Sequence, residues 1–487
     1  MADSPSLKAL LRRLPLMLRV AVAHVLNLSE TAPYLDLRSA LIVSVLRSFL
    51  EPDPSRPHTV SSVQRLSTRD PGVKGRLWVS TYASPPPPEA GARDALGRAL
   101  EALREPPARQ TGPGNGNDNG NSSIPVPEYV PVEAEWTGYR AAAKPNERPP
   151  AISEKEKYHE MMKECRAPST VLYLHGGAFY LLDPSSHRST TKKLAKITGG
   201  RCYSVRYRLA PKHAFPAAVL DAFVSYLTLL YPPPDAFHDP VRPEHIVVSG
   251  DSAGGNLTLA LLQLILELRR QGEPVMWHGE PREIPLPAGV ACNSPWMDMT
   301  HSSPSFQGST PSAFDYLPKP DTRAMESILP CDIWPVKPPR KYLYVDAALA
   351  THPLASPIMA RSWAGAPPVY MCTGWELLAF EDKFMAKKLA RDGASVVFEE
   401  YEAMPHCFAM ILAMPSTRRC LDAWGGFVRR AVEDPGGIAS SATSISARTL
   451  GETALRFDDL SDIGEAEMRE RVARKAKEPA AQAIARL

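Results

Sequence analysis

The chain predicts an α/β fold, a mostly parallel central sheet with helices on both faces, and three observations carry that reading. Residues 151–434 alternate apolar strand-like runs with helical patterns, the signature of parallel strands joined by crossover helices. One such run, Ile246-Val247-Val248, leads through Gly250-Asp251-Ser252-Ala253-Gly254 into a helix-forming stretch from Asn256 to Leu268. Another, Val171-Leu172-Tyr173-Leu174, ends in His175-Gly176-Gly177-Ala178. Parallel units present ligands at the carboxyl ends of their strands, and both glycine motifs stand there.

The expected strands of this body are 169–174, 201–206, 245–250, 288–292, 368–373 and 395–401; the expected helices are 188–199, 215–230, 254–270, 380–392 and 415–432. From Ser302 to Pro367 the alternation lapses into a Pro/Ser-rich stretch that reads as a lid, joined by N-terminal residues. Ahead of the body, residues 1–60 read as a helical cap with a possible interfacial segment. Residues 61–150 hold the first strands, Val73 to Thr81 and Val132 to Tyr139, as a hairpin interrupted by the Gly/Asn-rich insertion 111–123, a flexible surface loop. Residues 435–487 read as a linker and a peripheral charged helical tail.

The N-terminal segment 7–28 is apolar but carries Lys8, Arg12, Arg13 and Arg19 with Pro15 inside it. Arg19 argues against a bilayer span and splits any signal-peptide core. Two readings stay open: a helix packed on the body, or an interfacial helix touching a membrane or lipid-droplet surface. The expected location is cytoplasmic, with peripheral membrane association as the second reading.

Composition narrows the partners. A net charge of +3 over 487 residues, without a basic stripe, implies no nucleic acid. The 50 prolines are about twice the usual share and cluster in loops such as Ser84-Pro85-Pro86-Pro87-Pro88. Seven cysteines are scattered without metal-like spacing, so no metal site is expected and a reduced compartment is favoured.

Gly250-Asp251-Ser252-Ala253-Gly254 is the pattern of a nucleophile elbow, a tight strand-to-helix turn that exposes its serine. Folds that carry such an elbow place an acid and then a histidine downstream. Among His278, His301, His352 and His406, only His406 follows the last strand-like run, in Met404-Pro405-His406-Cys407-Phe408. The strand Pro368 to Thr373 leads into Gly374-Trp375-Glu376, which favours Glu376 as the acid; Asp382, further along in a helix, is the alternative and is expected to face solvent or cap. The expected oxyanion donors are the backbone N–H groups of Ala253, Gly176 and Gly177, with His175 and Asp251 bracing the loops.

Four motifs occur in order: His175-Gly176-Gly177-Ala178, Tyr207-Arg208-Leu209-Ala210-Pro211, Gly250-Asp251-Ser252-Ala253-Gly254-Gly255 and Ser294-Pro295-Trp296-Met297-Asp298. Over about residues 165–432 the chain resembles the hormone-sensitive-lipase-like branch of the α/β-hydrolases, and within it is similar to steryl-acetyl-hydrolase-type esterases. The resemblance implies the α/β-hydrolase fold and a cofactor-free serine carboxylic ester hydrolase, with Ser252 as nucleophile, His406 as base and Glu376 where the family usually has aspartate. The expected substrate is a small-molecule carboxylic ester, apolar or of moderate size. Ala178 stands where a third glycine is common. The same triad serves amide or formamide hydrolysis and acyl transfer, and a non-catalytic ligand receptor on this fold is a further reading.

Overall fold

In the computed structural model, which describes residues 11–51, 57–104, 123–307, 312–319 and 328–478, one ten-stranded sheet organises the chain. Its strands are β1 (Leu77–Ser84), β2 (Val132–Tyr139), β3 (Thr170–Leu174), β4 (Arg201–Arg206), β5 (Ile246–Asp251), β6 (Gly289–Asn293), β7 (Val369–Thr373), β8 (Val396–Tyr401), β9 (Ser441–Ile445) and β10 (Glu452–Leu455). Across the sheet they run in the order β10-β9-β8-β7-β6-β5-β3-β4-β2-β1. From β4 to β9 neighbouring strands are parallel; β2 and β1 add antiparallel at one edge and β10 at the other.

The central strands are buried on both faces, so they read as continuous apolar runs rather than as alternating ones. Within β3, Leu172 and Leu174 enter the core on one side of the sheet, while Val171 and Tyr173 enter the core on the other.

The longer helices are α1 (Leu14–Val25), α2 (Leu37–Leu50), α3 (Val60–Ser67), α4 (Gly91–Leu103), α5 (Glu154–Glu164), α6 (Pro184–Thr198), α7 (Ala217–Leu230), α8 (Ala253–Gln271), α9 (Ala379–Arg391), α10 (Pro415–Glu433) and α11 (Glu465–Lys477). Residues of α4, α7, α8, α9 and α11 fill the first core, and those of α2, α6 and α10 the second. Local chemistry sets several boundaries. Asp183 caps α6 through the Ser185 N–H, Pro184 opens the helix, and Gly199 ends it at φ 69°. The expected start of this helix at 188 is therefore four residues late.

Three expectations change. Residues 441–455 are no linker: β9 pairs parallel with β8, and β10 pairs antiparallel with β9. Their Ser/Thr/Ala composition hides an edge hairpin that needs little apolar surface: in β9 Ala442 enters the first core on one face and Ile445 the second core on the other. The tail helix α11 is docked, burying Met468, Val472 and Ala476, with Lys388 paired to Glu465 at 2.8 Å. Residues 342–363, expected as lid, are largely core: Tyr344 stacks on Phe179 with ring centroids 3.6 Å apart, and Val345, Leu354 and Trp363 are fully buried.

The β1–β2 hairpin pairs from Leu77↔Tyr139 to Ser84↔Val132 and contains α4 as well as the low-complexity insertion, of which 111–122 lie outside the described residues. At the N-terminus α1 and α2 form a helical hairpin; α2 buries Ala40 and Val43, and α1 buries none of its residues.

Candidate active site

Ser252 sits at the turn between β5 and α8 with φ 52° and ψ −121°, a conformation that β-carbon-bearing residues rarely hold. The surroundings hold it there. Its N–H donates to the Asn293 carbonyl at 3.0 Å, and its own carbonyl accepts from Trp296 and Asn256, each at 3.0 Å. A β-carbon on Gly254 would overlap the Leu174 carbonyl, so β3 and α8 approach this closely only with glycine there.

The Nε2 of His406 lies 2.9 Å from the Ser252 Oγ. Its Nδ1 contacts the Oε2 of Glu376, so one imidazole bridges a hydroxyl and a carboxylate. The second oxygen of Glu376 accepts from the Ser294 hydroxyl at 2.5 Å, and from Thr373 Oγ1 and the Gly374 N–H at 3.1 Å each. Burial alone would raise the Glu376 carboxyl, but the His406 charge and these hydrogen bonds outweigh it and hold the group below its ordinary value. His406 moves the other way: burial works against its cation, yet Glu376, then Asp315 and Asp251, raise it above its ordinary value.

Ser252, His406 and Glu376 therefore meet at the carboxyl ends of β5, β8 and β7. Asp382, expected at the surface, is fully buried with both carboxyl oxygens unpaired among the described residues. Burial and the charges of Glu376 and Glu381 push it well above the usual carboxylate range. It faces the sheet because the first turn of α9 packs on β7.

The oxyanion side needs one correction. The N–H of Gly176 donates to Asp251 Oδ1 at 3.2 Å, and a β-carbon on Gly176 would overlap Asp251 Oδ2. Gly176 thus serves the packing of the two motifs against each other rather than presenting a free donor. The next two peptides, at Gly177 (φ 113°) and Ala178 (φ 51°), are partly exposed, and their N–H groups have no acceptor among the described residues.

Asp251 is buried and receives Tyr173 Oη at 2.7 Å and His187 Nε2 at 3.3 Å. His175 stacks on Tyr207 at 4.2 Å with its Nδ1 on the Gly176 carbonyl, and burial lowers its pKa to about 3. It is neutral and structural in its contacts.

Three residues of the site escaped the sequence reading. Ser294 (φ 48°) links Glu376 to the base loop by accepting the Cys407 N–H at 3.1 Å. Asp315 and Tyr316 come from the irregular stretch 312–319, and the Tyr316 ring stands edge-on to His406 at 6.0 Å. Only Ser294 carried a signal, its place in Ser294-Pro295-Trp296-Met297-Asp298.

A family model described as the alpha/beta hydrolase fold matches residues 171–410. An acetyl-hydrolase of Streptomyces hygroscopicus is 32% identical over 265 residues, which are 54% of this chain and 76% of that protein. The chain belongs to the alpha/beta hydrolase fold family. An esterase of Acinetobacter venetianus is 28% identical over 287 residues, 59% of this chain and 78% of its own. The crystal structure of the HSL homologue EstE7 from a metagenome library superposes with a TM-score of 0.50 at 22% identity, covering 82% of this chain and 99% of that one. The α/β-hydrolase fold and the esterase resemblance expected from the four motifs are thereby upheld, and this hydrolase acts on carboxylic esters. No helix among the described residues is long and apolar enough to cross a membrane.

Proposed function

We propose that Ser252 is the nucleophile of this ester hydrolase, His406 its general base and Glu376 the acid that orients the base. The observation that carries the reading is the single imidazole with Nε2 at 2.9 Å from Ser252 Oγ and Nδ1 on Glu376. As Oγ attacks the ester carbonyl carbon, its proton passes to His406 Nε2 and the buried Glu376 carboxylate stabilises the imidazolium. The imidazolium then returns that proton to the departing alcohol. Water, deprotonated by the same nitrogen, releases the acid from Ser252.

The N–H groups of Ala253, Gly177 and Ala178 hold the developing oxyanion, with Ala178 in the place first expected of Gly176. The test is a rapid-quench digest after mixing with p-nitrophenyl acetate. The peptide containing Ser252 gains the acyl mass within the burst; acylation at any other residue rejects the assignment.

We further propose that α1 lies on a lipid surface and that the substrate is an apolar ester reached from it. Leu14, Leu18, Val22 and Val25 recur on one face of the helix, Leu11 precedes them, and all are exposed, Leu18 at 67% and Val25 at 71%. Arg19, one residue on from Leu18, lies on one flank of that stripe, and Arg12 and Arg13 precede the helix, as an anionic headgroup layer requires. Leu14→Glu/Leu18→Glu/Val22→Glu in the full chain should abolish co-sedimentation with phosphatidylserine vesicles while sparing hydrolysis of a soluble ester. Undiminished co-sedimentation rejects the docking face.

A further inference from the structure

We propose that Asp315 is a positioning residue of the triad, tying the loop that carries the acid to the loop that carries the base from outside the sheet. The proposal rests on the assignment of Ser252, His406 and Glu376 made above. Asp315 is 1% exposed. Its Oδ2 accepts the Leu377 N–H at 2.8 Å, one residue past the acid, and its Oδ1 accepts the N–H of His406 itself at 3.2 Å. Oδ1 also accepts the Tyr316 N–H at 2.8 Å, which fixes the carboxylate within its own segment.

The sheet side already joins the two loops through the Trp375 N–H to the Met404 carbonyl at 2.8 Å and through Ser294. Those ties set the depth of Glu376 and His406. Asp315 closes the opposite side, so that neither loop can swing away from Ser252 without breaking a charge-assisted hydrogen bond.

What holds Asp315 comes from far away in the sequence. Arg47 on α2 donates Nε to the Asp315 carbonyl at 2.9 Å and Nη2 to the carbonyls of Ser312 at 2.6 Å and Ala313 at 3.1 Å. Tyr34, between α1 and α2, Phe314 and Trp375 form a triangle of edge-on rings with centroids 5.5 to 5.6 Å apart. Trp375 adjoins Glu376. The N-terminal hairpin, the segment 312–319 and the acid loop are thus one latch with Asp315 at its tip.

A packing role alone does not call for a carboxylate here. Burying a charge beside Glu376 is unfavourable on both counts, desolvation and like-charge repulsion. Both push the Asp315 carboxyl above its ordinary value, against the pull of His406. A neutral side chain of similar size would fill the space without that cost but would accept fewer hydrogen bonds from the two loops. The groups that face His406 are Glu376 from the acid loop, Asp315 and Tyr316 from 312–319, Asp251 from β5, and the neighbouring Cys407 thiol 3.5 Å from Nε2. Of these carboxylates, Asp315 is the one that the N-terminal hairpin holds.

The experiment compares Asp315→Ala and Asp315→Asn in the full chain, with kcat, KM and the pH profile of kcat/KM for p-nitrophenyl acetate. Asp315→Ala should lower kcat by on the order of 100-fold with KM little changed, the effect of a small misplacement of reacting groups. Asp315→Asn keeps an acceptor oxygen without the charge. With its NH2 turned toward the N–H of the other loop it should recover only part of kcat, while the acid limb moves to lower pH because His406 has lost a negative neighbour. Arg47→Met should also lower kcat, and combined with Asp315→Ala should cost less than the product of the two single losses.

Wild-type kcat in Asp315→Ala overturns the proposal. If that variant does not fold, an Asp315→Asn pH profile that superimposes on the wild type overturns it instead. Ser252→Ala, measured alongside, separates the two readings. Activity retained there rejects the triad itself, whereas loss there with an unaffected Asp315→Ala rejects only the positioning role.

Discussion

Two buried histidines in this molecule each lie against a buried carboxylate, and only one of the pairs has the geometry of a catalyst. His406 meets Glu376 through Nδ1 and Ser252 through Nε2. His187 meets Asp251 through Nε2 at 3.3 Å, while its Nδ1 lies 2.8 Å from the Ser186 Oγ. Serine, imidazole and carboxylate are present in both, and in both the carboxylate outweighs burial to raise the histidine above its ordinary value. The difference is in what each hydroxyl can do. Ser186 is the residue before His187 on α6 and donates to the Asp183 carbonyl at 2.6 Å within a helix cap. Ser252 stands on the β5–α8 turn, and at the end of the neighbouring β3 the Gly177 and Ala178 N–H groups have no acceptor among the described residues. A hydroxyl, a base and an acid are insufficient without a place for the oxyanion.

The comparison breaks most visibly at Ser252. Ser252→Ala should lower kcat for p-nitrophenyl esters by about a million-fold, the scale for loss of a triad serine, and a fluorophosphonate probe should no longer label the protein. Next comes the acid. Glu376→Gln removes the charge that holds the His406 tautomer and stabilises its cation, and should cost about 10,000-fold in kcat. The glutamine at 376 would still fill the site beside Ser294, so thermal unfolding should move far less than turnover does. A loss of under ten-fold would mean that another carboxylate supports His406.

The same contrast explains what the sequence could disclose. The Ser252 turn was legible because it depends on local geometry between neighbouring elements, and the place of His406 because it follows a strand whose apolar run is unmistakable. Glu376 was legible by position as the carboxylate that meets His406. Asp382 was misplaced at the surface because a helix first turn ordinarily faces solvent, and nothing local shows that α9 lies flat on β7. Gly176 and Gly177 are equivalent as letters; only the approach of Asp251, 75 residues on, takes up one N–H and leaves the next. Asp315 has no local signature at all, since its partners are Leu377, His406 and, through its carbonyl, Arg47. The strand Ser441–Ile445 was missed for a compositional reason: a short strand of Ser, Ala and Thr with a single Ile has the letters of a linker.

The second pair should respond in stability rather than in rate. His187→Gln leaves the Asp251 charge buried without its cation and should destabilise the fold by about 3 kcal/mol. Turnover of the folded enzyme should change by less than about ten-fold, or 1.4 kcal/mol in barrier, because Tyr173 and the Gly176 N–H still hold Asp251. The pH dependence has a definite sign. His187 is raised above its ordinary 6.5, so its contribution is complete below that value and is lost as pH rises through its folded pKa. Asp251 is lowered from 3.8, so its contribution is present above that value and is lost as pH falls through its folded pKa. The gap in melting temperature between wild type and His187→Gln should therefore be widest between these two ordinary values and narrow toward alkaline pH. A gap that widens above neutrality contradicts the charged pairing.

The smallest expected effect is the most pointed test of the contrast. Ser186 is exposed, and its hydroxyl touches a buried histidine that touches a buried carboxylate, so a distance search alone would score it as a second triad. Its bonds to Asp183 and its place in the first turn of α6 say otherwise. Ser186→Ala should shift stability by no more than about 0.5 kcal/mol and leave kcat, KM and fluorophosphonate labelling unchanged. Digestion of labelled wild-type protein should return the probe on the Ser252 peptide alone. Probe on the peptide containing Ser186 would show that hydroxyl, imidazole and carboxylate suffice without an oxyanion site, and the distinction between the two pairs would fall.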